Sequence, residues 1–283
     1  MTTVLVVLKL TTEYFEKKKI ESPRVNAEIL LAEVLKCKRI DLYLSFEKPL
    51  NEEELALYRE LIKKRSSHIP LQYIIGNVEF YGLKLLVNEN VLIPRPETEL
   101  LVETILQNHQ QTNELKILDI GSGSGNISLA LARNLSKSFI TGIDVIQKAI
   151  EVSFQNKEIH HLENVDFNRF DILHDDLEKL GTFDIIVSNP PYVSKNDFDL
   201  LEPELRLYEP RIALTDELEG TTFYKKIISK SESLLIKPGY IYFELGKDQF
   251  QKISQLLTDN KFSNIKIIKD YSGIERIISG EKI

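Results

Sequence analysis

The sequence predicts an α/β protein in which a domain built on a parallel sheet covered by helices follows a small helical bundle. From Glu114 onward, short apolar runs alternate with helical stretches, a pattern typical of a parallel sheet covered by helices. The first third of the chain instead shows apolar residues at helical spacing. Because 283 residues exceed one ordinary domain, we predict a helical domain at 1–75, a hairpin-containing linker at 76–98 and the sheet domain at 99–283.

Composition and charge narrow the class of protein. The net charge of −7 argues against a protein whose main role is to grip a nucleic acid backbone, although a local basic patch stays open. The single cysteine, Cys37, permits no internal disulfide and suits a reducing cytosol. The apolar residues 4–8 are too short for a signal peptide, and no run approaches membrane-spanning length. We therefore expect a cytoplasmic protein with no membrane partner.

The amino-terminal third predicts three helices. Residues 11–19 form an amphipathic pattern, and Ser22-Pro23 supplies a cap and a first-turn proline for the next helix. Residues 51–54 open a third helix with acids and residues 63–65 close it with bases, as the helix macrodipole favours. The basic runs could be a nucleic-acid patch, but solvated helix ends explain them better. His68 and the other four histidines lack partners at metal-ligand spacing, so no metal site is expected.

The connection to the second domain has a different pattern. Residues 73–75 and 79–87 are short apolar runs separated by glycine, which predicts the strands of a hairpin. Residues 91–99 follow, held extended by two prolines and leading into a helix to about Asn108. This segment could be a plain linker or could wall one side of a cleft between the domains, and the sequence favours neither.

The sheet domain is predicted to contain seven strands. Five strands alternate with helices, and the last two strands form a pair at the carboxyl end of the domain. The predicted strands are residues 115–120, 139–143, 165–167, 183–188, 240–245, 265–269 and 276–279.

The loop after the first of these strands is the candidate cofactor site. It runs from Asp119 through three alternating glycines and opens a helix at 127–135. Asp144 ends the next strand about 20 residues later, where nucleotide-binding units place the acid that binds a ribose. Asn126 departs from the full dinucleotide pattern. This set resembles the S-adenosylmethionine site of a Rossmann-like methyltransferase, with a plain tight turn as the alternative. The predicted cofactor residues here are Gly121, Ser122, Gly123, Ser124, Gly125 and Asp144.

Two residues after the third strand are candidates for the adenine ring. Asp171 would accept a hydrogen bond from the amino group, and Ile172 would cover the ring face. A solvated loop acid explains Asp171 equally well.

The candidate catalytic corner is Asn189-Pro190-Pro191-Tyr192, directly after an apolar strand. Proline cannot donate to a sheet ladder and fixes φ, so the strand has to end here. The resulting extended corner presents the Asn189 amide, two carbonyls without neighbouring N–H groups, and the Tyr192 ring. Such a corner can hold a flat group bearing an NH2, although a mere proline-terminated strand is the plain alternative.

A methyl donor beside this corner predicts transfer to nitrogen. If the Asn189 side-chain oxygen and the Pro190 carbonyl accept both hydrogens of an NH2, they orient it and favour the positive charge that develops on nitrogen. We therefore predict Asn189, Pro190 and Tyr192 as catalytic residues, with Pro191 completing the substrate-binding set.

The chain resembles the bacterial glutamine N5-methyltransferases of class 1 peptide chain release factors, the PrmC or HemK family. The likeness covers nearly the whole chain. The matching segments are residues 27–31, Gly76, 79–82, 92–99, the glycine loop, 189–192, 208–211, 244–246, Asp270, Gly273 and Arg276.

This resemblance implies an activity and its partners. The donor would be S-adenosylmethionine, leaving S-adenosylhomocysteine, and Asn189 would contact it too. The substrate would be the glutamine of a Gly-Gly-Gln loop in a class 1 release factor, entering a cleft beside a substrate-binding domain at 1–75. Neither a metal nor direct nucleic acid binding is implied.

One segment departs from the family pattern. Residues 215–221 replace a paired glycine followed by Asp-Gly-Leu. We expect this segment to touch neither the glycine loop nor the Asn189 corner, so the activity should be kept. The alternatives are an amino-methyltransferase acting on adenine or guanine in DNA or RNA, whose base would be flipped out, and a non-enzymatic cofactor sensor or scaffold.

Overall fold

The computed structural model describes residues 2–109 and 114–283. The chain divides into two compact units, one formed by Met1–Gly76 with Glu202–Tyr208 and the other by Asn77–Leu201 with Glu209–Ile283. The domain boundaries drawn from the sequence at 75 and 98 stay predictions. None of the helices in the described ranges is long and apolar enough to cross a bilayer.

The α-helices are numbered along the chain. Their bounds are α1 Val4–Lys17, α2 Pro23–Leu35, α3 Glu52–Ser66, α4 Leu71–Ile75, α5 Pro96–His109, α6 Asn126–Asn134, α7 Gln147–His160, α8 Lys195–Phe198, α9 Pro203–Tyr208, α10 Arg211–Leu214, α11 Thr222–Leu234 and α12 Phe250–Asp259.

The strands form a hairpin and one larger sheet. Their bounds are β1 Asn77–Phe80, β2 Leu83–Leu86, β3 Lys116–Ile120, β4 Phe139–Asp144, β5 Val165–Arg169, β6 Phe183–Ser188, β7 Leu235–Glu244, β8 Phe262–Lys269 and β9 Glu275–Lys282.

Two predicted helix starts have different outcomes. At α3 the Asn51 side chain accepts from the Glu54 N–H at 2.8 Å, and Glu54 accepts from the Asn51 N–H at 2.8 Å. This reciprocal pair confirms the start of α3. The cap predicted at Ser22 is wrong, because Ser22 has a φ of 47° and its side chain makes no cap hydrogen bond. A capping side chain normally extends from a backbone in the β region.

Two other predictions in this unit change. Helix α1 begins at Val4, well before residue 11, because Val4, Val7 and Leu8 are buried in the core of the unit. Residues 73–75 belong to α4 and form no strand. Pro70 precedes this helix, and Gly76, at φ +82°, ends it in the left-handed conformation typical of a helix terminus. The hairpin is therefore confirmed only for residues 77–86.

The larger sheet has the order β5-β4-β3-β6-β7-β9-β8. Neighbours run parallel except at β9, which is antiparallel to both β7 and β8. Alternate residues of each strand enter separate cores: Ile117 packs with α5, α6 and α7, whereas Leu118 packs with α11 and α12. The α/β fold class, a Rossmann-like sheet domain preceded by a helical domain, is thus confirmed.

The strand order reverses between β3 and β6. The chain winds outward from β3 to β5 on one side and from β6 onward on the other, so the loops after β3 and β6 leave in opposite directions. In parallel α/β sheets, ligands bind in the crevice at such a point. Ile120 and Ser188 are register partners, and the buried Ser188 hydroxyl donates to the Ile120 carbonyl at 2.6 Å. This pairing puts the glycine loop beside the Asn189 corner.

The two helix starts yield a paired test. Asn51→Ala should lower the free energy of unfolding by about 1 kcal/mol, because it leaves the Glu54 N–H without its side-chain acceptor. Ser22→Ala should change it by less than about 0.5 kcal/mol, since no cap bond is lost. Urea unfolding followed by circular dichroism measures both. An equal loss in the two variants would contradict the assignment.

Candidate active site

A pocket lies at the carboxyl edge of the sheet, over the reversal between β3 and β6. It encloses about 920 Å³, including open solvent at its mouth. Residues that follow four strands line it: 120, 121 and 123 after β3, 143–146 around the end of β4, 170–173 after β5, and 188–191 at the end of β6. Its size and mostly apolar wall suit a small organic ligand.

The glycine loop after β3 has left-handed backbone at each glycine. The φ angles are +80° at Gly121, +54° at Gly123 and +81° at Gly125, which only glycine adopts freely. A Cβ at Gly121 or Gly123 would meet no described atom within 4 Å. These two glycines line the pocket, so a ligand can approach their backbone closely.

Gly125 has a different task. A Cβ there would lie 2.8 Å from the Phe167 ring and 3.1 Å from the Ser153 side chain. Helix α6 begins at the next residue, Asn126. Gly125 therefore permits the close helix packing that dinucleotide sites assign to a third glycine, and asparagine at 126 does not disturb it.

Asp144 joins the glycine loop to the end of β4. Its Oδ2 accepts from the Gly123 N–H at 2.9 Å, and its Oδ1 accepts from the Ile146 N–H at 2.9 Å. Burial raises the pKa of Asp144, and the backbone hydrogen bonds oppose that rise. Each carboxylate oxygen retains a further acceptor site, and the residue lines the pocket. Asp144 is therefore placed to accept hydrogen bonds from vicinal hydroxyls.

Three buried polar atoms of this loop have no hydrogen-bond partner in the described part of the chain. They are Oδ1 of Asp119, Oγ of Ser122 and Oγ of Ser124. Asp119 is fully buried and its Oδ2 accepts from the Ser128 hydroxyl at 2.6 Å. Burial raises the pKa of Asp119 to about 7. Because unpaired buried polar groups are costly, the loop fits a ligand that carries polar groups at one end.

Asp171 and Ile172 also reach the pocket. Ile172 is buried and lines the wall together with Phe170, a residue that no motif in the sequence pointed to. Asp171 accepts from the Leu173 N–H at 2.8 Å and lies 2.8 Å from His174 Nδ1. Burial opposes ionisation, but the hydrogen bonds from His174 and Leu173 outweigh it and lower the pKa of Asp171. The carboxylate is thus held on its own loop, and its adenine contact stays a prediction.

The corner begins where its prolines predict, since β6 ends at Ser188. Asn189, Pro190 and Pro191 line the pocket. Tyr192 turns toward the core that contains α11 and α12. Its hydroxyl lies 3.5 Å from Glu244 Oε1, and burial, followed by the negative charge of Glu244, raises its pKa.

A buried threonine and a buried glutamate stand behind Asn189. Asn189 Nδ2 donates to Thr98 Oγ1 at 3.3 Å, and the Thr98 hydroxyl donates to Glu244 Oε2 at 2.6 Å. Thr98 and Glu244 are each 1% exposed. Both lie in segments that match the family pattern, but the sequence alone indicates no role for either. Glu244 closes an apolar strand at the same sheet edge as Asn189, and that position was the available signal.

Residues 215–221 contact the corner, so the expectation that they would not is wrong. A Cβ at Gly220 would lie 2.1 Å from the Tyr192 carbonyl oxygen. Gln249 Nε2 donates to the carbonyls of Tyr192 and Gly220 at 3.0 and 3.1 Å. Thr215 also pairs with Val193 in an isolated β-bridge. These contacts use backbone atoms, which a motif comparison does not reveal.

An aspartate gives this segment its shape. Asp216 Oδ1 accepts from the N–H groups of Leu218 and Gly220 at 2.9 and 2.8 Å, and Oδ2 accepts from the Thr222 N–H at 2.9 Å. Burial opposes ionisation, but these bonds outweigh it and lower the pKa of Asp216. The atypical sequence therefore keeps a closed turn that begins α11.

The structure brings most of the predicted site residues to one pocket. Among the described residues, those that line it include Gly121, Gly123, Asp144, Asp171, Ile172, Asn189, Pro190 and Pro191. The other predicted residues, Ser122, Ser124, Gly125 and Tyr192, lie outside that lining. Their contacts with cofactor or substrate stay predictions. Within the described ranges, no group of three or more His, Cys, Asp or Glu side chains is arranged to hold a metal ion.

Gly220 supplies a test of the contact with the corner. Gly220→Ala should lower the free energy of unfolding by about 2 kcal/mol or more, because the new Cβ meets a backbone oxygen as well as an unfavourable φ. Gly82→Ala is the matched control: φ is +70° and its Cβ would meet no described atom within 4 Å. It should cost about 1 kcal/mol. Equal losses in urea unfolding would refute the close contact.

Two family models and a solved structure match the chain. A family model described as PrmC N-terminal domain matches residues 7–76, and one described as Methyltransferase domain matches residues 111–276. The structure of a methyltransferase from Pyrococcus furiosus superposes with a TM-score of 0.54 at 19% identity, covering 71% of this chain and 89% of that chain. At that identity the likeness shows the fold alone.

Relatives of known name cover almost the whole chain. A release factor glutamine methyltransferase of Fusobacterium nucleatum is 42% identical over 279 residues, covering 98% of this chain and 78% of that protein. One from Rhodopirellula baltica is 39% identical over 287 residues, covering 99% and 96%. Because both domains match and the identities extend over nearly the whole chain, the chain belongs to the family of release factor glutamine methyltransferases.

Proposed function

We propose that this protein transfers a methyl group from S-adenosylmethionine to the side-chain amide nitrogen (N5) of the glutamine in the Gly-Gly-Gln motif of class 1 release factors. The observation that carries the proposal is the pairing of Ile120 with Ser188, which brings a glycine-loop pocket and an amide-holding corner together at one sheet edge. The family membership supplies the substrate class. A substrate of this kind also locates the reaction in the cytoplasm.

The pocket residues divide the work of binding the donor. Gly121 and Gly123 leave room for close approach to the backbone. Asp144 accepts from the ribose hydroxyls, and Asp171 and Ile172 hold the adenine ring. The orphaned atoms of Asp119, Ser122 and Ser124 suit the polar end of the molecule. When bound, S-adenosylmethionine supplies an electrophilic methyl group on a sulfonium.

The corner prepares the accepting nitrogen. An amide nitrogen is a poor nucleophile because its lone pair is delocalised into the carbonyl. Asn189 Oδ1 and the Pro190 carbonyl accept the two hydrogens of the glutamine NH2, which orients it and favours the positive charge of the transition state. The proton becomes acidic only as the methyl group is transferred, so no strong base is needed beforehand. Pro191 keeps the corner rigid, and the Tyr192 ring packs on the planar amide group.

The helical unit is the proposed docking region for the protein substrate. We assign release factor binding to residues 1–75, supported by the match of the PrmC N-terminal domain to residues 7–76. Direct nucleic acid binding is not part of the proposal, since the net charge is −7.

The decisive experiment follows the methyl group. The protein is incubated with methyl-labelled S-adenosylmethionine and, in separate reactions, with a class 1 release factor, DNA or RNA. We expect label in the release factor, at the Gly-Gly-Gln glutamine. Label found in nucleic acid alone would replace the proposal with the amino-methyltransferase alternative.

Asn189→Ala tests the corner in the same assay. The variant should lose at least about 100-fold in kcat, because a preorganised acceptor is removed from the transition state, while S-adenosylmethionine binding is largely kept. Asn134→Ala is the control, since Asn134 is exposed and its side-chain NH2 donates to the Ala130 carbonyl within its own helix. A fully active Asn189→Ala enzyme would eliminate the assigned role.

Asp144→Ala tests the cofactor site. Loss of a charged acceptor should weaken S-adenosylmethionine binding by about 10- to 100-fold in calorimetry. Asp166→Ala is the control, because Asp166 lies on β5, outside the pocket lining, and its carboxylate is 3.8 Å from Lys157 Nζ. Unchanged affinity in Asp144→Ala, with the fold intact by circular dichroism, would refute the ribose contact.

A further inference from the structure

A chain of hydrogen bonds leads from Asn189 into the protein interior. Asn189 Nδ2 donates to Thr98 Oγ1, and Thr98 donates to Glu244 Oε2, with distances of 3.3 and 2.6 Å. Glu244 Oε1 lies 3.5 Å from the Tyr192 hydroxyl. Thr98 comes from α5 and Glu244 from β7, and both are buried. A helix and a strand that are distant in sequence thus supply the residues behind the Asn189 amide.

The single proton of the Thr98 hydroxyl gives this chain a direction. An ionised carboxylate only accepts hydrogen bonds, so the Thr98 proton is committed to Glu244. Thr98 Oγ1 can then only accept from its other neighbour, and the NH2 end of the Asn189 amide has to face it. An asparagine amide has one NH2 end and one oxygen end, so Oδ1 faces away from Thr98.

We infer that Thr98 and Glu244 are positioning residues that select the orientation of the Asn189 amide, leaving its Oδ1 free to accept from the substrate NH2. The inference rests on the proposed function for the identity of that NH2. It assigns to Thr98 and Glu244 a task that neither performs by touching the substrate. With the opposite amide orientation, Asn189 would present a donor to the substrate NH2 group, and of the two proposed acceptors the Pro190 carbonyl alone would remain.

The charge state of Glu244 controls the direction of the chain. Burial raises its pKa to about 7, and the hydrogen bond from Thr98 opposes that rise. Arg276 also lowers the pKa and Glu97 raises it. Arg276 is itself paired with Asp270 at 3.0 Å. Among the described residues, Tyr192 also faces the Glu244 carboxylate, and Tyr224 faces its backbone carbonyl.

Protonation reverses the ordering. A neutral Glu244 can donate to Thr98 Oγ1, which frees the Thr98 proton to donate to Asn189 Oδ1 and so occupies the acceptor. The folded pKa is raised, so the ordered state is present above about pH 7 and is lost as the pH falls through that value. The kcat should therefore fall on acidification through this range.

Three variants separate positioning from structure. Thr98→Val keeps the shape but has no hydroxyl, and should lower kcat about 10-fold, with the acidic fall of kcat abolished. Thr98→Ser keeps the hydroxyl and should restore both kcat and its pH dependence. Glu244→Gln should lower kcat without titrating. In all three, the affinity for S-adenosylmethionine should stay within about twofold, because the chain acts on the acceptor amide.

The NMR resonance of the Asn189 side-chain NH2 reports the hydrogen bonding of this amide independently of turnover. With 15N-labelled asparagine, the side-chain NH2 resonance of Asn189 is identified by its loss in Asn189→Ala. In the unmodified protein it should shift with a midpoint near pH 7, since the NH2 end bonds Thr98 only while Glu244 is ionised. The shift should be retained in Thr98→Ser and absent in Thr98→Val and Glu244→Gln. Asp119, whose pKa is also raised to about 7, is present in every variant and so cannot cause that difference.

The methyl-transfer assays and the Asn189 resonance distinguish a failure of the proposed function from a failure of the positioning role. An enzyme that leaves release factors unlabelled would overturn the proposed function, and the resonance would still decide the orientation of Asn189. A resonance that does not titrate, or titrates equally in Thr98→Val, would overturn the positioning role. Full activity of Thr98→Val at neutral pH would overturn it as well.

Discussion

The pairing of β3 with β6 is the constraint on which the site depends. Their register makes Ile120 and Ser188 partners, and the Ser188 hydroxyl adds a hydrogen bond to the Ile120 carbonyl. Each strand ends at that pair, so the glycine loop and the Asn189 corner leave adjacent points of one edge. Because side chains alternate along a strand, a one-residue shift in the register of β3 against β6 would move every side chain of the shifted strand to the opposite face of the sheet. The hydrophobic pattern of the sheet therefore also holds the distance between the two halves of the site.

Burial of Glu244 at this edge is costly to stability. A carboxylate removed from water loses several kcal/mol of hydration unless hydrogen bonds replace it. Thr98 provides a short hydrogen bond, Tyr192 a long one, and Arg276 a favourable charge. A hydrophobic residue would fill this place with less cost to stability, so the acid is best explained by what it does for Asn189.

The glycines at this edge have different structural roles, although the sequence does not distinguish them. Gly121 and Gly123 leave space for a ligand, whereas Gly125 makes room for Phe167 and Gly220 for the Tyr192 carbonyl. The segment at 215–221 departs from the family pattern, and its Gly220 leaves free the space beside the Tyr192 carbonyl that a side chain would need. Its close approach to the corner explains why a loop without pocket-forming side chains still matters to the geometry.

Local information in the sequence determined a large part of this protein. The apolar runs, the proline stop after Ser188, the glycine loop and the acid at 144 predict strands, loops and the edge where they meet, because each signal acts within a few residues. The start of α1, the missing cap at Ser22, the helical state of residues 73–75, the role of Gly220 and the chain from Asn189 through Thr98 to Glu244 were decided only by tertiary structure. Thr98 and Glu244 lie 146 positions apart, and a hydrogen bond between such residues exists only after the sheet has closed around them.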